Sequence, residues 1–166
     1  MLTWTRRLIA IAAALAAIPA VAGCTVPLAG MTGISVTADG QPLGVIQMCH
    51  DHIDGVGLYP DDDPQTAATT GRWHRDAALT GFSTWPLATD GADDGWTVEQ
   101  PLDTLDPKQT YRLYGWTDDS SWSTAPVTVT SADLEELAPG QVRYEIDDKP
   151  STSSVEDFRT TACEHF

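Results

Sequence analysis

Positive charge is scarce in this chain: nine Lys and Arg residues stand against 24 Asp and Glu, for a formal net charge of −15. So acidic a surface repels nucleic acid and anionic lipid headgroups, which sets nucleic acid aside as a partner. It favours solubility, association with cations or basic partners, and solvation of an extracellular domain is the plainest account of it. Long apolar runs are missing too. The longest, Leu8 to about Val21, has roughly 14 residues where about 20 are needed to cross a hydrocarbon core as a helix, so no permanent transmembrane anchor is expected. Cysteine is limited to three residues without the close paired spacing of zinc motifs. No glycine-rich loop is present to cradle a phosphate. The nearest approach to a nucleophile on a sharp turn, Gly81-Phe82-Ser83, lacks the second glycine. Carboxylates abound, but nothing in the pattern holds two at the fixed separation a glycosidase needs. Non-enzymatic function is therefore expected.

What is present begins at the N-terminus. Arg6 and Arg7 precede the apolar run, and the small residues Ala22 and Gly23 precede Cys24. That is the layout of a signal peptide. The stretch Val21-Ala22-Gly23-Cys24 resembles the bacterial lipobox, which implies acylation of the Cys24 sulfur, cleavage before it and a protein held by membrane lipid at the extracytoplasmic face of the cell membrane. Thr5-Arg6-Arg7-Leu8-Ile9 partly resembles a twin-arginine export signal, although Ala10 stands where a basic residue is usual. The expected organisation is a cleaved signal peptide over 1–23, a lipidated tether over 24–32 and a single domain over 33–166 with a C-terminal extension. Removing residues 1–23 takes two of the nine basic residues and none of the acidic ones, leaving 143 residues with a net charge of −17. That length suffices for one domain with one core.

Outside the cytoplasm the two remaining cysteines, Cys49 and Cys163, are expected to pair. The bridge closes a loop of about 115 residues, worth on the order of 4–5 kcal/mol in the chain-entropy model.

The mature chain reads as short strands punctuated by Gly, Pro and Asp. Ile34 and Val36 alternate with polar neighbours up to a turn at Asp39-Gly40, and Leu43 to Cys49 is apolar enough for a buried strand; the two make a hairpin. Further strands are expected at Val56 to Tyr59, Arg72 to His74, Ala78 to Phe82, Trp96 to Glu99, Tyr111 to Trp116, Val127 to Thr130 and Val142 to Ile146. In the last, Val142, Tyr144 and Ile146 share one face and the polar residues the other. Helical signals are confined to a turn or two from Ser131 to Leu137 and to Ser153-x-x-Glu156, a capping box opening a short helix that carries Val155 and Phe158. The fold class is all-β, a β-sandwich with one or two short helical turns near the C-terminus.

Leu105-Asp106-Pro107-Lys108-Gln109-Thr110-Tyr111 resembles the Leu-x-Pro approach to the tyrosine corner of fibronectin type III and related immunoglobulin-like domains. The resemblance implies that the Tyr111 hydroxyl returns to upstream backbone at the start of a strand whose Leu113 faces the core. Such domains stop about two strands later, whereas this chain continues from Ser131 to Phe166. As a whole, the chain is similar to the small acidic lipoproteins of high-GC Gram-positive actinobacteria, on its lipobox, Ala-rich signal and composition; that group implies no activity.

Three sets of side chains are candidates for a site. If Cys49 and Cys163 are bridged, Cys49-His50-Asp51-His52 and Cys163-Glu164-His165 bring His50, His52 and His165 close, and three imidazoles suit zinc or copper. Along a strand, however, His50 and His52 point to one side while His165 falls on the side of the cysteines, so surface histidines beside a structural bridge are the plainer reading. Asp61-Asp62-Asp63, Asp93-Asp94, Asp118-Asp119 and Asp147-Asp148 fall in loops, where calcium takes several oxygens, yet none has the one-three-five spacing of a dedicated loop. Of the five tryptophans beyond Cys24, Trp116 and Trp122 flank the turn Thr117 to Ser121. Exposed on a sandwich they would stack on sugar rings or anchor a partner; buried they would fill core or rim. The expected role is an envelope binding or structural module facing the cell wall or another protein, with small-ligand binding, sugar or metal, as the alternative.

Overall fold

The computed structural model describes residues 25–61, 69–88 and 95–166; Cys24 and the peptide before it lie outside these, as do Asp62, Asp63, Asp93 and Asp94. The described residues are mostly β-strand, with short helical segments. Strands β1 (Leu28–Val36) and β2 (Pro42–Met48) form the expected hairpin across Asp39-Gly40, and β5 (Phe82–Pro86) pairs with the far edge of β2. Strand β3 (Ile53–Pro60) lies between β4 (Gly71–Leu79) and β7 (Tyr111–Trp116), with β6 (Thr97–Gln100) outside β4. Strands β8 (Ser123–Ala125) and β9 (Val127–Val129), separated by Pro126, follow the other edge of β7. Parallel pairing of β8 with the start of β1 joins the two groups, and every other pairing is antiparallel.

Alternating side chains make the main core. Val56 and Leu58 of β3, Trp73 of β4, Leu113 of β7 and Val127 and Val129 of β9 face Ile34, Ile46 and Trp85. Trp85 and Trp96 stack with ring centroids 4.5 Å apart, and Trp96 donates to Ser83 Oγ at 3.0 Å. Three of the five tryptophans, Trp73, Trp85 and Trp96, thus fill the core. Tyr111 is buried at the start of β7 and its hydroxyl accepts from the Asp106 N–H at 2.8 Å, the contact expected of that residue.

The C-terminal stretch supplies a second core. After helix α1 (Ser131–Glu136), strands β10 (Gln141–Ile146) and β11 (Lys149–Ser154) extend the sheet from the second half of β1. Helix α2 (Val155–Thr161) then lays Phe158 on Met31, Val45, Val142 and Tyr144. Strand β1 is consequently covered on both faces, and every residue in it except Leu28 is buried. Residues 28–32, expected in the tether, are thus part of β1. A strand buried on both sides shows no polar–apolar alternation, so 28–32 carried no period to read. The Cys49–Cys163 disulfide, with Cα atoms 5.3 Å apart, ties the end of β2 to a helical turn over Ala162–His165.

Other boundaries shift for local reasons. The strand expected over Ala78 to Phe82 divides at Thr80-Gly81 into the end of β4 and the start of β5. Helix α2 is capped one residue later than expected, by Ser154 accepting from the Asp157 N–H at 3.0 Å. Asp147 and Asp148, with φ of 50° and 59°, make the two-residue turn between β10 and β11, a left-handed conformation that Asp tolerates.

Candidate binding cleft

The outward face of β4, β3 and β7 carries the most developed site among the described residues. Since side chains alternate, the inward set of β7 is Tyr111 and Leu113, and Arg112, Tyr114 and Trp116 point away from the core. The register places Gly57 of β3 between Arg72 and Tyr114, and Gly55 between His74 and Trp116. These two glycines leave a trough that aromatic rings roof over: a Cβ on Gly55 would stand 2.3 Å from Trp116 Cζ2, and one on Gly57 2.3 Å from Tyr59 Cε2. Tyr59 and Tyr114 stack at 5.4 Å. The Arg72 guanidinium caps Trp116 at 4.5 Å from the ring centroid, and His74 lies 6.0 Å from the same ring.

The turn after β7 builds the far wall. Thr117 Oγ1 accepts from the Trp122 N–H at 3.0 Å, and the Thr117 N–H donates to the Trp122 carbonyl at 3.1 Å. Asp119 accepts from the Ser121 N–H at 3.0 Å, and hydrogen bonds from Ser121 hold its carboxyl below the usual carboxylate range. Asp118 is fixed through its own N–H, which donates to Asp54 Oδ2 at 2.9 Å, and its carboxylate lies 3.5 Å from His74 Nε2. Trp116 and Trp122 therefore stand at the two ends of a braced turn. Between the floor and this wall is an open cleft of about 410 Å³, lined by Tyr59, Arg72, Tyr114, Trp116, Trp122 and Asp118 with Ser120, Ser123, Thr117 and Val26. Its volume lies within the ~300–1,000 Å³ of small-molecule sites, and its mixture of rings and hydroxyls suits an amphipathic ligand. Burial pushes the Tyr114 phenol up, with its neighbour Tyr59 adding to the shift, so it stays protonated as a hydroxyl donor.

The histidines separate. His50 packs edge-on against Trp122 at 5.1 Å, behind the cleft wall. His52 is engaged by Asp51 at 2.7 Å and faces Asp54 at 3.8 Å. His165 lines a different depression with Leu28, Met31 and Phe166. No group of three His, Cys, Asp or Glu side chains in metal-holding geometry occurs among the described residues. Of the paired aspartates, Asp61 bridges to Arg112 at 2.8 Å, and Asp118-Asp119 and Asp147-Asp148 shape turns.

Sequence reading singled out Trp116 and Trp122, and both line the cleft. It missed Tyr59, Tyr114 and Arg72, although the alternation Arg112, Tyr114, Trp116 marks an outward aromatic row. The chain matches no protein-family model, no curated protein and no solved structure.

Proposed function

We propose that the mature chain is a non-enzymatic binding module, held at the outer face of the cell membrane by acyl groups on Cys24, that takes a sugar ring in the aromatic cleft. The carrying observation is the gathering of Tyr59, Tyr114, Trp116 and Trp122 on one open cleft with Arg72 and Asp118 at its polar edge. Flat rings complement the apolar faces of a pyranose, and the surrounding hydroxyls, carboxylate and guanidinium satisfy its hydroxyl groups. The lipobox supports the location, and an oxidised Cys49–Cys163 pair suits an extracytoplasmic domain.

The scaffold is an immunoglobulin-like sandwich in this reading. In its favour, β1, β2 and β5 pair as one set and β6, β4, β3, β7 and β9 as the other, and the Tyr111 hydroxyl accepts from the Asp106 N–H as in a tyrosine corner. Cell-wall glycan or a glycosylated envelope partner is then the natural target. Affinity electrophoresis and pull-down on purified cell wall and soluble glycans test the function. Retention that is lost in a Trp116→Ala, Trp122→Ala double variant supports it, and absence of retention by every glycan removes it.

A further inference from the structure

The cleft lies at the end of the domain from which the N-terminal segment leaves. The Pro27 carbonyl accepts from the Ser123 N–H at 3.0 Å, and Leu28 pairs with Ser123, so the segment is fastened beside Trp122 from its first strand residue. Val26 lines the cleft itself. Val26 and Leu28 are 37% and 44% exposed, two of the three exposed large apolar residues among those described, and together they line a shallow groove that continues past Tyr114 and Ser123. Only Thr25 separates Val26 from Cys24, so the two lie at most about 7 Å apart along the chain. The headgroup zone on one side of a bilayer is itself about 5–8 Å deep. An acyl-anchored chain with so short a lead holds the cleft mouth at headgroup height.

Charge narrows the chemistry of the occupant. With a net charge of −17 on the mature chain and Asp118 lining the cleft, an anionic headgroup is repelled. Arg72 does not reverse this, because its Nε already stands 2.7 Å from Glu99 Oε2. Resting on the sugar-binding reading above, we propose that the ligand is the uncharged sugar headgroup of a membrane glycolipid, taken from the bilayer in which the protein is anchored. The rings of Tyr114 and Trp122 and the edge of Trp116 hold the sugar, while Val26 and Leu28 rest against the glycerol and upper acyl region.

The test uses the mature acylated protein in phosphatidylcholine vesicles containing diglucosyl, digalactosyl or dimannosyl diacylglycerol, and in parallel the same disaccharides free in solution, read by tryptophan emission. Tethering ligand and protein to one surface raises their effective concentration. The expected result is a response to at least one glycolipid at a concentration about tenfold or more below that of its free disaccharide, abolished by Trp122→Ala. A second variant carries a Gly-Ser insert of about ten residues between Cys24 and Thr25, which spans roughly 18 Å and lifts the cleft off the bilayer. It should lose the advantage of the lipid-borne sugar and keep the affinity for the free one. Equal responses to free and lipid-borne sugar, or an insert without effect, overturn the membrane source and leave the sugar reading standing. No response to any sugar in either form overturns both.

Discussion

The Arg72 guanidinium lies 4.5 Å over the Trp116 ring while its Nε faces the Glu99 carboxylate at 2.7 Å, an ion pair rather than an aligned hydrogen bond. One face of the indole is thus capped by a cation that is itself held in place. Arg72→Ala should cost only about 0.5–1 kcal/mol of stability, the value of an exposed cation–π contact, because the pair is solvent-screened. Its larger effect should be on the ring's freedom, read as increased acrylamide quenching of Trp116 and a several-fold weaker sugar response.

Gly55 serves the cleft rather than the core. Gly55→Ala places a methyl group within 2.3 Å of the Trp116 ring. The ring must swing outward, at about 1–3 kcal/mol for an overpacked site. Ligand affinity should fall by at least about tenfold while urea unfolding remains a single transition. An Ala variant that binds as the parent does would show that Trp116 is not held by this contact.

The C-terminal stretch is fastened twice, by the disulfide and by Phe158. Cys49→Ala with Cys163→Ala should cost about 2–5 kcal/mol in urea unfolding, matched by adding reductant to the parent protein. Phe158→Ala empties a fully buried site between α2, β1 and β10 and should cost about 3–5 kcal/mol. In that variant limited proteolysis should cut first in the region of α2, with the main core still protected.

Tyr114 gives a pH signature. Its phenol is raised above 10.0 by burial first and by Tyr59 second. The folded state therefore keeps a proton that the unfolded chain releases, so this contribution is complete below pH 10 and is lost as the pH rises through the raised value. In phenolate absorbance, Tyr114→Phe should remove a step that titrates above the ordinary tyrosine range, and it should lessen the alkaline loss of stability.

Much of this arrangement was legible from local pattern. Tyr111 to Trp116 and Val142 to Ile146 alternate visibly, the cysteine pair followed from the expected compartment and the cysteine count, and Tyr111 was recognisable from the seven residues ending in it. Strand β11 was not, because Lys149-Pro150-Ser151-Thr152-Ser153-Ser154 has no apolar residue and is held as a strand only by pairing with β10. The first half of β1 was hidden by its two-sided burial. Of the cleft, the sequence offered Trp116 and Trp122, neighbours across one turn. Tyr59, Arg72 and Tyr114 come from three strands whose order, β4 beside β3 beside β7, is a property of tertiary pairing that no local period encodes.

The account rests on the aromatic cleft being the working surface, and the indole N–H resonances of the tryptophans report on it individually. Titrating the protein with the sugar that it retains best should move the Trp116 and Trp122 signals together and leave those of the buried Trp73, Trp85 and Trp96 in place. Shifts confined to the buried three, or no shift at Trp116 and Trp122 at saturation, would contradict it.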